Sequence, residues 1–118
     1  MNVQIHASDC TLTDGLREHI AWRVAYATSQ GRDAVSRIVV HLSNVNNGPR
    51  GSVDKCCSVE LCLKDMQSLV IEDVQADLNV AIDRAFERVS RSLHRRLAQR
   101  RDFATVSMAH QHTPVYTP

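Results

Sequence analysis

Residues 78–101, LNVAIDRAFERVSRSLHRRLAQRR, read as one long amphipathic helix. Leu78, Ile82, Ala85, Phe86, Val89, Leu93 and Leu97 recur at spacings of three and four, which stacks them along a single face. With Ile82 at zero and about 100° per residue, these side chains gather around zero, and Arg84, Arg88, Arg91 and Arg95 gather on the opposite side. Successive guanidinium groups on that ridge stand about 5–6 Å apart, close to the separation of phosphates along a nucleic-acid strand. Like charges at this spacing destabilise an isolated helix by a few tenths of a kcal/mol per pair, so a helix that is merely solvated would mix in acids. Arginine also suits phosphate, because its planar fork binds two oxygens at once. The helix dipole favours cations near a C-terminus and accounts for Arg100 and Arg101, but not for Arg84 and Arg88 in mid-helix.

Working outward from this helix, the rest of the chain supplies what its apolar face must cover. Val3, Ile5 and Ala7 alternate with Asn2, Gln4 and His6, the period of a half-buried strand. Thr13 and Asp14 form a helix start, and Leu16, Ile20, Val24 and Ala27 give that helix an apolar face, with Gly31 a plausible stop. A second strand is expected at 36–43. The Asn-, Gly- and Pro-rich segment 44–52 is expected as a loop, followed by a third strand at 55–63. A turn near Lys64-Asp65-Met66 leads to a fourth strand at about 67–72, which forms a hairpin with the third. Asp73 or Asp77 caps the last helix. The order β-α-β-β-β-α implies a two-layer α+β sandwich with both helices on one face of a four-stranded sheet. The other face, with Gln4, His6, Val39, His41, Cys56, Glu60 and Cys62, is polar enough to meet solvent as an antiparallel sheet does. Arg96 and Arg100 fall on the apolar arc of the last helix, where an unpaired charge would not be buried. The helix is therefore expected to outrun the sheet and to project with basic groups all round, from Arg96 to Arg101. One domain is expected over 1–102, with a flexible tail rich in Ser, Thr, His and Pro over 103–118.

The net charge of +1 conceals a polarity. The segment 84–101 holds seven arginines and one acid and carries +6, whereas the other 7 bases and 12 acids leave −5. Such segregation points to a polyanionic partner. No apolar run approaches the roughly 20 residues that span a bilayer, and the first residues lack the pattern of a secretion signal, so a cytoplasmic protein without a membrane partner is expected. Cys10, Cys56, Cys57 and Cys62 fit no CxxC zinc spacing and read as reduced, small apolar side chains. His6, His41, Cys56 and Cys62 could share the open sheet face as metal ligands, depending on strand register. His6, His19, His41, His94, His110 and His112 are the acid-base candidates, but none lies in a nucleophile, phosphate-loop or carboxylate-pair motif. Neither catalysis nor a cofactor or small-molecule substrate is expected.

The order of elements, the segment Leu12-Thr-Asp-Gly-Leu-Arg17, the run Asp77-Leu-Asn-Val-Ala-Ile-Asp83 and the continuation Arg91-Ser-Leu-His-Arg-Arg-Leu97 carry a resemblance. The chain resembles the short ribosome hibernation promoting factors, or ribosome-associated inhibitor A proteins, formerly described as sigma-factor modulation proteins. His41-Leu-Ser43, Gly48-Pro-Arg-Gly51 and Asp54-Lys-Cys56 look like a bacterial sub-branch of that family. The match covers roughly residues 1–101. It implies a fold similar to double-stranded-RNA-binding domains and a stress-response role, in which the protein binds the small ribosomal subunit near the decoding channel and inhibits translation or stabilises idle ribosomes. It also implies contacts to 16S rRNA from Arg84, Arg88, Arg91, Arg95, Arg96, Arg100 and Arg101, and from Arg17 and Arg23 on the first helix. Two departures stand out: the basic helix uses arginine where relatives mix in lysine, and Val74-Gln-Ala-Asp77 replaces an acidic-aromatic pattern. Long members add a C-terminal dimerisation domain, and dimerising ribosomes through such a domain is not expected of a chain this short. The alternative reading is a small interaction module that pairs weakly with a second copy through the open sheet face, without ribosome binding.

Overall fold

A computed structural model describes residues 1–46 and 53–109, with side chains described within 1–45 and 53–99. The elements are β1 (Asn2–Ala7), α1 (Asp14–Ala27), β2 (Val35–Asn46), β3 (Val53–Leu63), β4 (Leu69–Gln75) and α2 (Leu78–Ala109), with a single 3-10 turn at Arg32–Ala34 before β2. The strands lie in the order β1-β2-β3-β4. The sandwich matches expectation, except that the sheet is mixed. β1 runs parallel to β2, and the other pairs are antiparallel. The reason is topological: α1 returns the chain to the end where β1 began, as a helical crossover between parallel strands does.

Local chemistry sets the helix starts. The Thr13 hydroxyl accepts the Leu16 amide at 3.1 Å. Asp77 Oδ1 accepts the Asn79 amide at 2.8 Å and so caps α2, which settles the choice between Asp77 and Asp73. Asp73 lies inside β4 instead. At its other end α1 stops at Ala27, where Thr28 is the cap, three residues before Gly31. Gly31 serves packing rather than termination. A Cβ there would stand 2.5 Å from Leu97 Cδ1 and 3.2 Å from Leu93 Cδ2, so its bare backbone admits the end of the α2 apolar face.

The sheet extends past the expected bounds. β2 and β3 remain paired out to Asn46 and Val53, although asparagine is a poor strand former. Cross-strand bonding overrides the propensity here, because Lys55 Nζ donates to Asn44 Oδ1 at 2.9 Å from the opposite strand. The loop motif at 48–51 lies outside the described residues. β4 is displaced toward the C-terminus by two to three residues, since β3 offers a partner as far as Lys55, opposite Gln75. The turn before it carries Asp65 in the left-handed region, at φ 58°, a conformation aspartate tolerates.

Between the layers lies one core: Ile20 and Val24 from α1, Ile38, Val40 and Leu42 from β2, Val59 and Leu61 from β3, and Ile82, Phe86, Val89 and Leu93 from α2. Leu97 is the last α2 side chain packed against it among the described residues. The helix does not end near residue 102, however, but continues to Ala109. Ala104, Met108 and Ala109 are good helix formers and no glycine or proline intervenes before Pro114, so loss of the apolar repeat did not mean loss of the helix. Residues 110–118, with His110 and His112, lie outside the described residues.

Two substitutions separate core from cap. Ile82→Ala is expected to destabilise the fold by about 2–5 kcal/mol and Asp77→Ala by about 1 kcal/mol, read from urea unfolding midpoints. Equal losses would contradict this division of labour.

Candidate nucleic-acid interface

The α2 apolar arc fixes the rotation of the helix, and that rotation decides where each arginine goes. Arg84, Arg91 and Arg95 are exposed and form no hydrogen bond or ion pair among the described residues. Arg17 on α1 has the same character. The expected ridge of four is broken at Arg88. On the helical wheel Arg88 lies near 240°, further round toward β4 than Arg84, Arg91 or Arg95. Its Nη1 donates to the Glu72 carbonyl at 2.7 Å and lies 3.6 Å from Asp73 Oδ2. The Asp73 side chain is only 13% exposed and also accepts from Gln75 Nε2 at 2.7 Å. A carboxylate so enclosed needs a counter-charge, and Arg88 supplies it.

Arg96 is likewise not a projecting group. It is half-buried where α2 passes the β3–β4 turn, and its Nη1 donates to the Gln67 carbonyl at 2.9 Å. The charge on the apolar arc is thus resolved by a backbone acceptor, rather than by projection beyond the sheet. The side chains of Arg100 and Arg101 lie outside the described set, although the α2 backbone does carry on past Leu97.

Arg23 is held in a third way. Its Nε donates to Asp83 Oδ1 at 2.9 Å, and His19 Nε2 donates to the same oxygen at 2.8 Å. These bonds tie α1 to α2. Because the carboxylate can only accept, the Nε2 atom of His19 carries the proton. Partial burial pushes the Asp83 carboxyl up, but the hydrogen bonds and charges of His19 and Arg23 outweigh it and hold the pKa below the ordinary value. Sequence reasoning placed Asp83 in a motif but missed this tie. The signal was present in outline: His19 and Arg23 are four apart on one helix face, and Asp83 sits at the flank of the α2 arc.

On the open face, register decides what gathers. His6 lies beside His41, with ring centroids 6.3 Å apart. Cys56 is opposite Ser43 and Cys62 opposite Arg37, so the two thiols stand about 20 Å apart along β3. Strand parity was right, but the four candidate ligands are not brought together. Burial, with smaller contributions from Cys56 and Asp73, pushes the Cys57 thiol up to about 12. Burial also raises Cys56, helped by the charges of Glu72 and Asp73 against a hydrogen bond to Ser43. Both thiols therefore stay protonated at neutral pH.

The molecule is thus a small α+β domain whose longest helix turns unpaired arginines to solvent. A family model described as Sigma 54 modulation protein / S30EA ribosomal protein matches residues 3–101, and the chain belongs to that ribosome-associated family, the family of the hibernation promoting factors. Among solved structures, the N-terminal domain of Protein Y from Thermus thermophilus is similar with a TM-score of 0.67 at 23% identity, over 80% of this chain and 98% of that one. A ribosomal subunit interface protein from Coxiella burnetii is similar with a TM-score of 0.70 at 16% identity, over 83% of this chain and 99% of that one. At these identities the likeness concerns the fold. No curated protein sequence matches the chain. No helix among the described residues is long and apolar enough to cross a membrane.

Two outcomes check the partition. Arg88→Gln should lower stability by about 1 kcal/mol, discounted for its partial exposure, whereas Arg84→Gln should stay within about 0.5 kcal/mol of the parent; urea titration of both variants compares them, and equal losses would refute the assignment. The second concerns acid. A carboxylate with a depressed folded pKa contributes stability above its unfolded value, about 3.9, and loses it as the pH falls through the folded value. Asp83→Asn should therefore be less stable than the parent at neutral pH, and the gap should close as the pH drops below about 4. A gap independent of pH in thermal melts would show that the Asp83 charge is not what matters.

Proposed function

We propose that the protein binds the small ribosomal subunit through 16S rRNA near the decoding channel, in the cytoplasm, and there inhibits translation or stabilises idle ribosomes. The observation that carries the reading is the set of solvent-facing arginines on α2, Arg84, Arg91 and Arg95, in a chain of a ribosome-associated family. None has to break an internal bond to be recruited. Arg17 belongs to the same set. Arg100 and Arg101 join it on charge and sequence position alone. Arg88, Arg96 and Arg23 contribute field, and each already commits one of its nitrogens to Glu72, Gln67 or Asp83, leaving only its other N–H groups for phosphate. Contacts of this kind go to phosphate and read backbone shape rather than base edges. They also account for the use of arginine alone on the ridge, since a bidentate fork is wasted on solvent.

Co-sedimentation with purified small subunits across a salt series tests the reading. Binding should weaken steeply as salt rises, and Arg84→Gln/Arg91→Gln/Arg95→Gln should flatten the log–log slope by about 2–3 units while leaving the unfolding midpoint unchanged. A triple variant that sediments like the parent at every salt concentration removes these arginines from the site.

A further inference from the structure

One feature of α1 is left unused by the core, by the interhelical tie and by the arginine ridge. Trp22 and Tyr26 are 61% and 64% exposed. One helical turn apart, they stack with centroids 5.9 Å apart and planes inclined by 16°. Large aromatic surface is not left in water by packing demands, and here it is pre-organised as a platform. The Arg23 guanidinium lies over the Trp22 ring at 5.8 Å, a cation–π contact, and the Asp83 bond fixes that guanidinium in turn.

Beside the platform runs a groove of about 270 Å³ between the helices, walled by Arg23 and Tyr26 from α1 and by Phe86, Glu87, Ser90 and Arg91 from α2. Phe86 is 2% exposed and gives it an apolar floor. Arg91 is at once a groove wall and a member of the unpaired set. The groove is therefore continuous with the surface proposed to meet RNA phosphates. It lies just below the size range of pockets for drug-like ligands, a scale that suits one planar group.

We infer that the Trp22–Tyr26 stack and the adjoining groove receive an unpaired base of an RNA strand whose phosphates lie on the Arg91 side. This rests on the reading of α2 as the RNA-binding face and deepens it, adding a single-strand contact to a backbone contact. Flat aromatic faces accept any base, and an arginine beside them adds both stacking and charge. Glu87 keeps phosphate out of the groove itself and offers an acceptor to the N–H edge of a base. A paired duplex cannot use the site, because its bases are already stacked.

Trp22 is the single tryptophan of the chain, so its emission reports on the site without any substitution. An unstructured RNA decamer titrated into the full-length protein at low salt should quench that emission; a duplex of equal length, bound to the same extent, should not. Trp22→Leu/Tyr26→Leu should weaken binding to the decamer and to small subunits by roughly fivefold or more, and Trp22→Phe/Tyr26→Phe should restore it to within about twofold. Emission unchanged at saturating decamer overturns the inference, as does a leucine variant that binds like the phenylalanine one. If the parent binds small subunits and the leucine variant binds equally well, the aromatic site falls and the ribosome reading stands. If the parent binds the decamer with quenching but does not sediment with subunits, the ribosome reading falls and the base site stands.

Discussion

Everything on α2 follows from one constraint: its apolar arc from Leu78 to Leu97 is the lid of the sheet and can lie only one way up. Ile82, Phe86, Val89 and Leu93 are almost wholly removed from water, and burying such side chains is worth about 1.5–3 kcal/mol each. That sum dwarfs the few tenths of a kcal/mol at stake in each surface charge pair. The charges therefore take whatever positions the core leaves them. Asp83, one residue after Ile82, is turned toward α1 and finds His19 and Arg23. Arg88 is turned toward β4 and finds Asp73 and the Glu72 carbonyl. Arg84, Arg91 and Arg95, between these two flanks, meet only solvent.

The basic helix thus contains two populations of arginine with the same sequence signature. One population compensates features of the fold itself: Arg88 an enclosed carboxylate and Arg96 a turn carbonyl. The other has no internal partner and keeps its full capacity for an external anion. Because the first group is engaged within the fold, simple charge counting overstates how many arginines are left unpaired. A segment carrying +6 yields a narrower set of solvent-facing forks, placed by the rotation that the apolar arc imposes on the helix.

Much of the fold was legible because it rests on periodicity and local capping. The alternation in β1 and β3, the Thr13 cap and the α2 arc all state their structure within a few residues. What could not be read depends on distances between elements. Nothing near Arg88 in the chain announces Glu72, sixteen residues earlier, and the strand and helix must first pack before the two meet. The same holds for Arg96 with Gln67, and for Gly31, whose role appears only once Leu97 is laid against it. The boundary of α2 failed differently. The apolar repeat marks where a helix is covered, not where it stops, and beyond Leu97 the chain remains helical. As for the candidate site, the charge polarity of α2 was evident from the sequence, whereas which of its arginines are bonded within the fold was not.

The arginine at the rim of the sandwich has a further effect, on how the protein meets copies of itself. β4 is a terminal strand of the sheet, and terminal strands invite annealing by a foreign strand, the first step of polymerisation. Arg88 sets its guanidinium against the Glu72 carbonyl of that strand. A strand arriving there would meet a fixed positive charge, with Asp73 behind it to hold it in place. A residue that reads in the sequence as part of a nucleic-acid ridge thereby occupies a backbone acceptor and sets a charge at the sheet's edge, two features that disfavour strand addition along this side.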